Sequence, residues 1–207
     1  MSRFVPQAGV IVLLLALCAQ ADDKKKQAFY TKPGQTVDLE NEKLVTAKQN
    51  CENWGLAAGL ESILKKQDVS LDQNFWVMRL SGGELCLSQL PSMETLAHAV
   101  NGEFVLDDGR HVRLELHYVS GAPSNVDDVV GGIQHKQLSL LLLRGHAYYL
   151  TGVTYDEYIG RNGSRLFEIK EMRLADTFPK LPGLTFQKSQ DNPADIAGTL
   201  SVSAAWL

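Results

Sequence analysis

The chain has 207 residues, 44% of them hydrophobic and 21% charged, with 17 glycines, 7 prolines and 3 cysteines. That composition excludes a disordered, collagenous or heptad-rod protein, and the length suits one domain with a sizeable core. Twenty basic against 24 acidic residues leave a net charge of −4, which offers no global field to attract nucleic acid or an anionic membrane surface.

Residues 1–21 read as a secretory signal, with Arg3 as the positive start, Val10–Ala19 as the apolar run and Ala19-Gln20-Ala21 as a small-x-small cleavage site. The run is shorter than the ~20 residues a membrane helix needs, so no membrane span is expected. Cys18 follows Leu17, where lipoprotein processing wants a small residue. The processed chain is therefore expected to be secreted or periplasmic and to retain Cys51 and Cys86. In an oxidising compartment these two either bridge each other or supply one nucleophile and a bystander.

Residues 22–41 form a polar leader arm carrying Lys24-Lys25-Lys26 and the turn Lys32-Pro33-Gly34. Leu56, Leu60, Ile63 and Leu64 then recur at helical spacing, with Ala57 and Ala58 allowing close packing. This predicts a buried amphipathic helix whose N-terminal end carries Cys51 and Trp54. A second helix is expected within Asp68–Leu80, ended by Ser81-Gly82-Gly83, and a third behind Pro91-Ser92, with Ser92 as N-cap.

From about residue 103 the period changes to two. Phe104-Val105-Leu106, the turn Asp107-Asp108-Gly109-Arg110 and the alternation from Val112 to Tyr118 predict a β-hairpin. A short helix over Asn125–Ile133, a strand over Leu138–Leu143, a turn at Arg144-Gly145 and a strand over His146–Val153 follow. Asn162-Gly163 marks a further hairpin into Leu166–Leu174. Helices first and antiparallel strands second indicate an α+β fold.

A cysteine at the start of a helix lies where the dipole favours thiolate. His146 opens a strand in Gly145-His146-Ala147, and Asp176 ends the next one in Leu174-Ala175-Asp176-Thr177-Phe178-Pro179. Thiolate, imidazole and an orienting carboxylate are the parts nucleophilic cysteine catalysis needs, and Gln49 adds an amide donor for an oxyanion.

In this ordered set the chain resembles the papain-like cysteine peptidase superfamily, and its bacterial bacteriocin-processing and secreted effector branch most. The resemblance runs over about residues 45–180. It implies a domain over 42–207 with an N-terminal helical lobe packed on a C-terminal antiparallel sheet lobe. It also implies hydrolysis of a peptide or protein substrate through an acyl-thioester, with Cys51, His146, Asp176 and Gln49 as the site and no cofactor.

Two registers fit. In the superfamily the oxyanion-hole glutamine sits about six residues before the nucleophile, which from Gln49 leads to Gly55. Matching Trp54-Gly55-Leu56-Ala57-Ala58 to the family's Trp-Cys-Trp-Ala-Ala gives the same position. On that register Cys51 belongs to a disulfide with Cys86, and the chain is a catalytically inactive homologue acting as a binding domain. On the other register Cys51 is the nucleophile and Leu56, Ala57 and Leu60 match the apolar pattern of the bacteriocin-processing enzymes.

No metal is expected. His111 and His117, which share a strand face with Glu115, stand six residues apart, ~20 Å in an extended strand, too far for one ion. Asn162-Gly163-Ser164 fits a glycosylation sequon, but the hairpin turn accounts for it.

Overall fold

A computed structural model describes residues 28–39, 47–51, 53–83, 90–123, 126–178 and 183–207. The signal segment 1–21 and Cys86 lie outside the described residues. The elements are β1 (Ala28–Asp38), α1 (Gly55–Lys65), α2 (Gln73–Ser81), α3 (Met93–Val100), β2 (Gly102–Val105), β3 (His111–Ser120) and α4 (Val126–Gln134), then β4 (Leu140–Leu143), β5 (His146–Gly160), β6 (Arg165–Ala175), β7 (Leu184–Gln187) and β8 (Ile196–Trp206). The fold is mixed α+β, with a few helices and one large sheet of order β2-β3-β8-β4-β5-β6-β7, and with β1 paired to β5. The pairs β2/β3, β3/β8, β8/β4, β4/β5 and β6/β7 are antiparallel. Among the described residues no helix is long and apolar enough to cross a membrane.

The described chain divides into two compact units, one within residues 36–154 and 169–207, the other of residues 28–35 with 155–168. In the smaller unit Glu157, buried at 6% exposure, pairs with Lys32 at 3.1 Å and Arg165 at 3.3 Å. The Gly34 amide donates to Asp156 at 2.9 Å, and Tyr155 meets Phe167 edge-on. The leader read as a polar arm is thus a strand from Ala28 onward. Gly34 sits within it at φ +62, so the Lys32-Pro33-Gly34 signal is an irregularity in a strand and does not end one.

Among the described residues, the four α-helices lie in the larger unit. Helix α1 is buried from Leu56 through Leu64 and packs against α2 and β8. Gly59 lets it settle on Leu140, whose side chain occupies the space a Cβ would need. Asp72 and Ser92 cap α2 and α3 by accepting from Phe75 and Thr95 amides, and Gly82 ends α2 in the left-handed conformation. Turn residues Arg144 and Gly145, at φ +50 and +80, join β4 to β5 with Leu143 opposite His146. Positive φ at both central positions is the type I′ geometry that suits strand twist.

Besides β1, three strands depart from the sequence expectation. Strand β5 continues to Gly160, and β7 and β8 have no counterpart in it. Strand β8 nonetheless lies between β3 and β4, with Leu200 and Val202 buried. Its Gly198 is required by Tyr118, whose ring lies where a Cβ would stand and whose hydroxyl donates to Ala197 O at 2.6 Å.

Candidate functional site

Helix α1 begins at Gly55 without a side-chain cap, leaving its first amides to the surrounding residues. Three neighbours converge on Gly55. A side chain built there would meet Ala147 O and Gln49 Oε1 at 3.4 Å and Thr177 Oγ1 at 3.5 Å from its Cβ. Gln49 is 7% exposed and Thr177 is 1% exposed, so both are enclosed. The Gln49 amide is engaged on both sides. Its Nε2 donates to Cys51 O at 2.5 Å, and its Oε1 accepts from the Thr177 hydroxyl at 2.7 Å. The Gln49 backbone amide also donates to Thr177 O at 3.1 Å. From the other side Gln73 on α2 holds the same loop, donating to Lys48 O at 2.7 Å and accepting from Asn50 N at 3.1 Å.

Behind the helix start runs a buried relay of hydroxyls. Ala47 N donates to Ser62 Oγ at 3.3 Å, Ser62 and Tyr149 hydroxyls bond at 2.6 Å, and the Tyr149 hydroxyl donates to Ala58 O at 3.1 Å. Tyr149 is fully enclosed. Burial, more than the nearby Glu61 and Asp176 charges, holds its phenol well above the ordinary range, although the Ser62 bond pulls the other way.

The expected catalytic residues are only partly brought together. Cys51 is disulfide-bonded, which corrects the register that makes it the nucleophile: a sulfur in a disulfide has no thiolate to attack a carbonyl. Its expected partner, Cys86, lies outside the described residues. His146 is exposed at the head of β5, its ring 6.4 Å from that of Tyr148. Asp176 accepts from the Phe178 amide at 2.8 Å, an Asx turn. Tyr148 lies between these two influences. Burial raises its phenol first, the Asp176 charge raises it further, and Arg144 opposes both. Among the described residues no hydrogen bond links His146 to Asp176, so the imidazole is not oriented by that carboxylate.

Thr177, Gln73, Ser62 and Tyr149 carry the local geometry without having been singled out as site residues. Thr177 was visible only as the neighbour of Asp176, and Gln73 has no sequence signal at all. Chemically, the start of α1 offers backbone donors, an amide already engaged and no nucleophilic atom at position 55. No family model, curated protein or solved structure matches the chain.

Proposed function

We propose that this chain is a papain-like domain without a nucleophile, which binds an extended peptide or protein segment and does not cleave it. The observation that carries this reading is Gly55. It stands at the first turn of the buried helix, six residues after Gln49, facing Gln49, Thr177 and the residue after His146. The disulfide at Cys51 supports the same register, because it gives that cysteine a structural task. The reading includes export, with residues 1–21 removed, so the secreted protein should begin at Asp22 by intact mass.

Casein incubated with the processed chain is expected to remain uncleaved. Reduced, carboxymethylated casein labelled with a fluorophore should nevertheless bind in an anisotropy titration, and Gly55→Trp should weaken that binding about tenfold by filling the enclosed position. Hydrolysis by the wild-type chain that disappears in Cys51→Ser sinks the proposal, and so does binding that Gly55→Trp leaves unchanged.

A further inference from the structure

At the opposite end of α1 the larger unit holds a cavity of about 800 Å³, within the ~300–1,000 Å³ range of small-molecule sites. Its origin is the shortness of β4. That strand pairs with β8 only as far as Leu140 opposite Leu200, and beyond it no strand among the described residues continues the pairing on that side. Gln67 substitutes for one, its Nε2 donating to Val202 O at 2.8 Å and its Oε1 accepting from Ala204 N at 2.9 Å. The hollow left between α1, α4, β3 and β8 has an apolar base that includes Ile63, Leu138 and Leu200.

The charge on this hollow is one-sided. Lys66, His117, His135 and Lys136 line it, all exposed, and among the described residues no aspartate or glutamate does. In a chain of net charge −4 that is not a consequence of composition. Neither lysine has an ion-pair partner among the described residues. The C-terminal ends of α1 and α4 face the same region, and each contributes about −0.5 charge. Two ammonium groups exceed that by about one unit. Hydroxyls of Ser139 and Ser201 add neutral donors.

We propose that this cavity is a binding site for an organic anion with an apolar portion, its acidic group held by Lys66 and Lys136 and its apolar part against Ile63, Leu138 and Leu200. The site is separate from Gly55 and independent of the reading given above. Its probe is 1-anilinonaphthalene-8-sulfonate, compared with the uncharged N-phenyl-1-naphthylamine, in fluorescence titrations of the processed chain. The sulfonate should bind more tightly than the neutral dye, and Lys66→Gln with Lys136→Gln should weaken it about tenfold while far-UV circular dichroism stays unchanged. Octanoate or octyl phosphate should displace it, showing whether carboxylate or phosphate is preferred, and octanol should not. Equal affinity for the two dyes, displacement by octanol, or a double variant that binds like wild type would each overturn the proposal. Amide chemical shifts of Leu138 and Leu200 provide a second reading, and a sulfonate that leaves them unmoved overturns it too.

Discussion

The first turn of α1 is closed in by Gln49, Thr177 and the backbone of Ala147, with the Gln49 amide bonded to Thr177 and Cys51 and the leading position reduced to glycine. The last turn opens onto a hollow where Lys66 has no ion-pair partner among the described residues and Gln67 bonds to β8 where β4 stops. One end has Gln49 and Thr177 bonded to each other and no reactive atom at position 55; the other has charge to spare and room beside it. A buried helix therefore does not have uniform functional potential along its length. What matters at each end is whether the backbone groups and charges are already committed to partners within the chain.

The largest test of that contrast is at Cys51. If the loop before α1 is fastened by a disulfide, Cys51→Ser should lower stability by about 2–4 kcal/mol, read as a shifted urea midpoint without reductant. An unchanged midpoint would mean the closed end is held by other contacts alone. Gln49→Ala should cost about 1–3 kcal/mol, because Thr177 Oγ1 and Cys51 O lose their partner in an enclosed place. Lys66→Gln, at the open end, should stay within about 0.5 kcal/mol of wild type. Equal losses for these two substitutions would erase the distinction between the ends.

Tyr149→Phe should cost about 1–2 kcal/mol by leaving Ala58 O and Ser62 with one partner fewer, and it should also change the alkaline limb of stability. The folded phenol titrates above its unfolded value of 10.0. Its contribution is therefore fully present below pH 10 and is lost as pH rises from there toward the folded value, at up to about 1.4 kcal/mol per pH unit. Chemical denaturation at pH 9 and near pH 11 should show a smaller alkaline loss in Tyr149→Phe; identical slopes would contradict the assignment. One effect has the opposite sign. Gly55 has no left-handed φ and ordinary clearance around a Cβ, so Gly55→Ala should stabilise by about 0.4–1 kcal/mol. A loss above 1 kcal/mol would show that the backbone, and not a vacant side-chain position, requires glycine there.

Much of this was legible from pattern. Leu56, Leu60, Ile63 and Leu64 announce α1, Ser92 announces α3, and the alternation from Val112 to Tyr118 announces β3, because each pattern follows from burying one face. Strand β8 was not legible. Ile196–Trp206 is rich in Ala, Ser, Gly and Thr, and its place in the sheet is fixed by partners far along the chain, such as Tyr118 lying over Gly198. The same division holds at the site. The spacing from Gln49 to Gly55 is local and could be counted, whereas the bond from Thr177 to Gln49 spans 128 positions and needs the fold before it exists.

The position of β8 also has a consequence for synthesis. Strands β3 and β4 are made early, yet neither pairs with the other; both wait for residues 196–206. While those residues are still on the ribosome, the two strands keep open edges and the middle of the sheet cannot form. Closure of the sheet therefore depends on pairings far apart in the chain, and long-range pairing of that kind folds slowly. Until residues 196–206 join, β3 has only β2 and β4 only β5 beside it, so two separate sheet fragments precede the complete sheet.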